Sequence, residues 1–371
     1  MSVRVRFAPS PTGSLHLGSS LTAVTNWLFA RHNGGALVLR IDDTDAGRTV
    51  AGAEDEIIAD LTWLGLDWDE GPIRQSERMQ RHVDAATSVP GAYTREGAVW
   101  LKAEATPEFV IVRSDGRPTY HWATAVDEVD LGITHVIRGN DHLSNTPLQI
   151  AAIRALGAEP PVYLHHALVR GDQGKLSKRE GAESISDLRR LGYPPEAVVN
   201  LLALVASSGP GDVMDRDELI ARFDAERLAR GEVVLEMSRL RALSTAHLSR
   251  LREGELVARV MPFAPAAATE RQVASLAPAL RGVHTLAEAG DLVACVTQPP
   301  EPRSLPELAT IRERYPERLS EHQARELVDD LRRAGVPLRD ARISLTGRER
   351  GPELWAVLAA LPRDEAIRRA A

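Results

Sequence analysis

The chain all but lacks lysine. Of its 45 lysines and arginines, only Lys102, Lys175 and Lys178 are lysine. Arginine meets every other demand for positive charge, yet two of the three lysines stand within four residues, in "GDQGKLSKREG" at 171–181. That clustering needs a local cause. Cysteine is nearly absent too: Cys295 is alone, which excludes an internal disulfide framework and any cysteine-based zinc site and suits a reducing cytoplasm. No apolar run approaches the roughly 18 residues that cross a membrane as a helix. The opening "MSVRVRFAPSPTG" alternates arginine with apolar residues and reads as a strand, not a signal peptide. Neither G-x-x-x-x-G-K-[ST] nor G-x-G-x-x-G occurs, so a nucleotide site here is of another kind.

What is present suffices for two or three domains. The chain has 371 residues, 43% of them hydrophobic and 26% charged, with a formal net charge of −7. An acidic total does not advertise a nucleic-acid binder, but local basic surface counts for more than the sum. From Glu301 onward arginine recurs (Arg312, Arg314, Arg332, Arg333, Arg348, Arg350) with acidic residues between. This pattern fits a solvated, ion-paired helical surface first and a nucleic-acid face second.

The first half alternates strand and helix signals. "VRVRFA" (3–8), "GGALVLRIDD" (34–43), "EFVIVRS" (108–114) and "THVIRG" (134–139) read as strands. Helical spacing runs through 18–32, 51–66, 120–130 and 146–156. Such alternation predicts an α/β fold with a doubly wound parallel sheet, whose ligands sit beyond the carboxyl ends of the strands. After "KLSKREG" the pattern turns helical, with no strand expected, and "TQPPEPRSLP" (297–306) reads as a loop between helical blocks.

"APSPTGSLHLGSS" (8–20) lies between the first strand and the first helix. Pro9 and Pro11 stiffen the turn, while Gly13 and Gly18 admit close approach of backbone to a ligand. The helix start then offers free N–H groups to an anion. Taken alone, His16 reads as a turn or helix-cap histidine.

In order along the chain stand "RFAPSPTGSLHLG", "LRIDDTD", "LTWLGLDWDEGP", "RSDGRPTYHWA", "ITHVIRGNDHLSNTP" and "KLSKREGA". Together they resemble the class I aminoacyl-tRNA synthetases, specifically the glutamyl branch. "HLGS" is similar to that class's first signature and "KLSKR" to its mobile lysine signature; "ARISLTGRERGPELWAVLAALPRDEAIRR" is more weakly similar to the last anticodon-region helices. The resemblance implies a Rossmann-like catalytic domain over 1–190, a helical connecting domain over 191–300 and an anticodon-region remnant over 301–371. It implies ATP-dependent formation of glutamyl-adenylate, with Mg²⁺ accompanying ATP, and transfer to tRNA by a cytoplasmic, monomeric protein.

Residue by residue, the resemblance assigns His16, Lys175, Ser177 and Lys178 to catalysis. Pro11, Thr12, Gly13, His16, Gly18, Ser19, Leu176 and Lys178 fall to ATP, and Arg6, Ala8, Ser10, Asp42, Tyr120 and Arg138 to the amino acid. A carboxylate substrate suits bidentate arginine. Lysine suits phosphate oxygens whose charge shifts during reaction, because it is a compact point charge on a flexible stem. No protein-built metal site is expected.

Three features depart from the family. Asp42 stands where the family's acidic residue is one methylene longer, retracting the carboxylate expected to hold the substrate ammonium by about 1.5 Å. Asn140 replaces an acidic residue. Residues 79–108 leave room for only a helix and a hairpin where relatives insert an acceptor-gripping domain. Other readings therefore stay open: a glutamyl ligase acting on a small amine or carrier protein, an enzyme glutamylating a modified tRNA base, and a non-catalytic regulatory paralogue.

Overall fold

A computed structural model of the chain describes residues 2–45, 47–104, 106–171, 184–207, 212–229, 231–301 and 303–371. Contacts divide it into two units, residues 1–188 with 198–237 and residues 189–197 with 238–371.

The first unit opens with strand β1 (Arg4–Phe7), helix α1 (Leu17–His32), strand β2 (Ala36–Ile41), helix α2 (Ala53–Leu64) and strand β3 (Glu70–Arg74). The three strands are parallel in the order β1-β2-β3. Leu37, Val38, Leu39 and Ile41 are all buried, the near-continuous apolar run of a parallel strand covered on both faces. The return from α1 to β2 needs glycine: a Cβ at Gly35 would sit 2.4 Å from the Val3 carbonyl oxygen.

Residues 79–108 hold helix α3 (Met79–Ser88) and the hairpin of β4 (Ala92–Arg95) and β5 (Ala98–Leu101). Strand β6 (Phe109–Val112) pairs antiparallel with β5. The alternation along the sequence placed this strand in the parallel sheet; it belongs instead to a small antiparallel one, because a short hairpin delivers the chain straight back beside itself. Helix α4 (Tyr120–Asp130), strand β7 (His135–Gly139), helix α5 (Thr146–Ala155) and strand β8 (Val162–His166) follow, with β7 and β8 parallel. Thr134 donates its N–H to the Arg4 carbonyl at 2.9 Å, which lays this pair alongside β1.

Strand β9 (Leu168–Gly171) pairs in parallel with β10 (Glu232–Leu235). The sequence reading expected no strand after "KLSKREG", and β10 corrects it. A four-residue run between helical segments carries little local signal, and its partner lies some sixty residues earlier. The described elements of the second unit are all helical, and no described helix is long and apolar enough to cross a membrane. There, buried Arg369 donates to the carbonyls of Cys295, Val296 and Leu345 and pairs with Glu365. Arg303, Arg325, Arg332 and Arg333 each pair with a carboxylate, the solvated pattern read from the sequence.

α3 and α4 are joined through Asp127. Its buried carboxylate accepts from His82 Nε2 at 2.7 Å, Arg78 Nε at 2.7 Å and Gln75 Nε2 at 2.8 Å. Burial alone would raise this carboxyl; the His82 hydrogen bond, the Arg40 charge and the Arg78 hydrogen bond outweigh it and hold it down at about 2. A depressed carboxyl contributes stability that is complete above its unfolded value and is lost as pH falls toward 2. Asp127→Ala should lower the unfolding free energy by about 3 kcal/mol at pH 7, because it leaves His82 and Gln75 buried without their acceptor and removes one of the two carboxylates of Arg78. Urea unfolding at pH 7 and pH 3 checks both points; an unchanged midpoint at pH 7 would show that the network carries no stability.

Candidate active site

The turn between β1 and α1 is held from beneath. Asp60 of α2, itself buried, accepts from the Ser14 hydroxyl at 2.7 Å and from the Leu15 N–H at 2.9 Å. Pro9 and Pro11 carbonyls accept from Asp42 and Val50, and the Thr12 N–H folds back onto the Ser10 carbonyl at 2.9 Å. Gly13 has φ +129°, a backbone conformation that side-chain-bearing residues rarely adopt. The turn is therefore pinned at both ends while Ser10 and Thr12 stay exposed.

His16 caps α1, its Nδ1 accepting the Ser19 N–H at 3.1 Å. That bond assigns the ring proton to Nε2, which faces away from the helix as a donor. Burial lowers the His16 pKa, with Asp141 opposing, so the neutral ring that caps the helix persists at pH 7. Gly18 leaves space for this ring: a Cβ there would stand 3.2 Å from His16 Cε1 and Nδ1.

Lys175, Leu176, Ser177 and Lys178 lie outside the described residues. The chain that follows them is docked on the His16 turn. Ser184 bridges to His16, the Ile185 N–H donates to the Leu15 carbonyl at 2.9 Å, and the Ser186 N–H to the Ser14 hydroxyl at 3.3 Å. The segment that follows the second signature is thus tied to the turn of the first.

A second cluster gathers at β1, β2, α4 and β7. Arg6, on β1 and 4% exposed, donates through Nε to Glu128 Oε1 at 2.9 Å, leaving its Nη edge with one weak bond to the Ile137 carbonyl at 3.5 Å. Arg138, on β7 and equally buried, donates to Gln149 Oε1 at 2.7 Å, Thr146 Oγ1 at 2.9 Å and His165 Nε2 at 3.4 Å, and lies 5.1 Å from the Tyr163 ring centre. All these partners are neutral. Burial lowers the Arg138 pKa first and the nearby Arg6 charge lowers it further. Two buried guanidiniums thus repel one another across the site, an arrangement that favours an anionic ligand.

Asp42, just past the end of β2, is engaged by Arg40 of that strand, Nε to Oδ1 at 2.6 Å and Nη2 to Oδ2 at 3.1 Å. Burial works against the Arg40 charge, but Asp42 and then Glu128 outweigh it and hold the guanidinium firmly protonated. Tyr120 opens α4, with its hydroxyl 3.5 Å from His142 Nδ1. Around Arg138 the histidines stay neutral: burial, followed by Arg138 itself, pushes His165 down to about 4, and burial lowers His121 and His142.

Of the residues singled out in the sequence, Pro11, Thr12, Gly13, His16, Gly18 and Ser19 form one continuous turn and helix start. Ala8 and Ser10 follow directly on β1, and Arg6, Asp42, Tyr120 and Arg138 belong to the charged cluster. Sequence reasoning missed Glu128, Thr124, Gln149, Tyr163 and His165. For two of these a signal existed: Tyr120, Thr124 and Glu128 recur every four residues and share one helix face. Gln149, Tyr163 and His165 carry no such mark.

Comparison with known proteins agrees with this geometry. Residues 2–89 and 94–242 match the family described as tRNA synthetases class I (E and Q), catalytic domain. The break at 90–93 falls inside the shortened segment. A glutamate–tRNA ligase of Synechococcus sp. (strain JA-3-3Ab) is 34% identical over 465 residues, covering 98% of this chain and 97% of the relative. That alignment is longer than the chain's 371 residues, so the relative carries segments this chain lacks. Glutamate–tRNA ligase 1 of Rubrobacter xylanophilus is 39% identical over 421 residues, covering 99% and 97%. The fold matches that of the crystal structure of a glutamate tRNA ligase from Elizabethkingia meningosepticum in complex with its amino acid, with TM-score 0.81, 23% identity and coverage of 100% and 98%. With strands, signature turn and relatives in agreement, the chain belongs to the class I tRNA synthetases for glutamate and glutamine, on the glutamate–tRNA ligase branch.

Proposed function

We propose that this protein activates L-glutamate with ATP to glutamyl-adenylate and transfers the glutamyl group to tRNA. The observation that carries the substrate choice is the pair of buried guanidiniums, Arg6 and Arg138, of which Arg138 has only neutral hydrogen-bond partners. A side-chain carboxylate offers both arginines a charge-assisted partner, whereas a neutral amide leaves the repulsion between them uncompensated.

An oxygen of the substrate α-carboxylate attacks the α-phosphorus of ATP, and the bond to the β-phosphate's bridging oxygen breaks to release pyrophosphate. Positioning and charge neutralisation dominate such a step. His16 presents its Nε2 proton to a phosphate oxygen while its other nitrogen holds the helix start. Lys178 supplies mobile positive charge, with Lys175 and Ser177 shaping its loop. Pro11, Thr12, Gly13, Gly18 and Ser19 line the phosphate side, Leu176 the nucleotide, and Ala8 and Ser10 the amino-acid side. Mg²⁺ accompanies ATP and adds charge neutralisation at its phosphates; among the described residues no three His, Cys, Asp or Glu side chains converge into a metal cage.

Transfer to tRNA is supported by the similarity across nearly the whole length of the ligases, second unit included. A non-tRNA acceptor is the second reading, favoured by the single hairpin over 92–101 in a chain shorter than its aligned relatives. Cytoplasmic work suits a chain with one cysteine.

Glutamate-dependent exchange of pyrophosphate into ATP, with and without total tRNA, tests the reaction. Exchange that appears only with tRNA supports the ligase; exchange without it points to another acceptor. RNA binding that weakens steeply with salt is expected of the first and not of the second. Lys178→Ala should abolish exchange in either case, and near-normal exchange in that variant would remove the mechanism.

The two roles of His16 separate by substitution. His16→Ala should lose about 1 kcal/mol of stability with the cap and also lose exchange activity. His16→Asn keeps a capping side chain but not the far donor, so its thermal unfolding should stay near wild type while exchange falls at least tenfold. Equal activity in the Asn variant would confine His16 to capping.

A further inference from the structure

Of the two ring nitrogens of His16, only Nε2 faces away from the helix start. Nδ1 accepts the Ser19 N–H, and the His16 carbonyl accepts from the Ser19 hydroxyl at 2.8 Å, the Ser20 N–H at 3.0 Å and the Ser20 hydroxyl at 2.9 Å. The direction of the Nε2 donor therefore follows from where the backbone just before it is held. Leu15 is held at both of its polar backbone atoms: its N–H donates to Asp60 Oδ2 at 2.9 Å, and its carbonyl accepts the Ile185 N–H at 2.9 Å. The same Asp60 oxygen accepts the Ser14 hydroxyl at 2.7 Å, and that hydroxyl in turn accepts the Ser186 N–H at 3.3 Å. Ile185 and Ser186 open the short helix Ile185–Arg190, so its start rests on the two residues that Asp60 fixes. Asp60 does not move with the turn. It is 2% exposed, on α2 between the buried Ile57 and Leu61. A neutral acceptor could close the same two bonds, but an ionised oxygen makes them charge-assisted, roughly twice as strong.

We propose that Asp60 is a positioning residue for adenylate formation that acts through His16: by fixing the backbone at Ser14 and Leu15, it aims the Nε2 proton at the reacting phosphate. The proposal rests on the reading of His16 as the donor to a phosphate oxygen. Aim matters most where a donor must meet charge that develops in the transition state, and a misplacement of about 1 Å can cost on the order of a hundredfold in rate. An interaction realised chiefly in the transition state changes kcat and leaves the ground-state affinity for ATP nearly alone. A plain structural anchor acts otherwise. It lowers stability and leaves the folded protein's kcat intact, or it changes kcat whatever side chain stands at position 16.

A double-mutant cycle on glutamate-dependent pyrophosphate exchange, run on the full chain with total tRNA present, separates the two roles. Asp60→Asn keeps the size of the side chain and removes its charge. Alone it should lower kcat about tenfold and change the KM for ATP by less than about twofold. In the His16→Asn background, where the far donor is already gone, the same substitution should lower kcat by less than about twofold. Losses that multiply across the two backgrounds, or an Asp60→Asn protein with wild-type kcat, overturn the proposal. Thermal unfolding verifies that each variant is folded. Should Asp60→Asn not fold, Ser14→Ala, which removes one of the two donors and keeps Leu15 anchored, takes its place in the cycle. A loss seen only with His16 present then supports the proposal; a loss equal in both backgrounds, or no loss, overturns it. A wild-type chain without exchange, with or without tRNA, removes the reading of the reaction first and this inference with it, an outcome distinct from any variant result.

Discussion

The site is organised around an ion pair between β1 and α4, Arg6 with Glu128. β1 lies inside the parallel sheet, with β2 on one side and β7 alongside the other, so an arginine on it is stripped of water almost completely. A buried arginine without a carboxylate would cost several kcal/mol. Glu128 offsets that cost and fixes the direction in which the rest of the guanidinium points. Arg138 on β7 has no such partner, and its hydrogen bonds to Gln149, Thr146 and His165 satisfy its donors without cancelling its charge. The protein keeps an imbalance of charge inside the fold, one that an anionic ligand would offset.

That imbalance explains several neighbours. The histidines around Arg138 are kept neutral by burial and by its field, so they accept or donate without adding to the positive charge. Arg40 and Asp42 neutralise one another at the end of β2, and Asp127 is anchored by His82 of α3 and by Arg78 just before that helix. The shortened segment 79–108 therefore retains a structural duty. His82 of α3, with Gln75 and Arg78 just before the helix, holds Asp127, and through it α4, the helix that carries Tyr120, Thr124 and Glu128.

The signature turn follows a different logic. There the backbone is prepared, not the charge: prolines, a positive-φ glycine and the Asp60 anchor hold the turn, and His16 spends one nitrogen on the helix so that the other is free. Ser184 and Ile185, which follow the second signature in the chain, dock on this turn.

Much of this was legible in the amino-acid sequence. The alternation of β1, α1, β2 and α2 is written in local hydrophobic periodicity, and the signature turn in its prolines and glycines, because both depend on residues close in the chain. The scarcity of lysine made Lys175 and Lys178 conspicuous without any structure. Tertiary structure alone decided the pairing of β9 with β10, the antiparallel placement of β6, and the charge partners of the pocket. Asp42 looked free from its motif but is held by Arg40, while Glu128 looked like one more acid on a helix and proves buried against a residue 122 positions away. Hydrophobic periodicity reports which face of an element is covered. Which charge meets which across the sheet depends on strand order and burial, and those come into being only when the chain has folded.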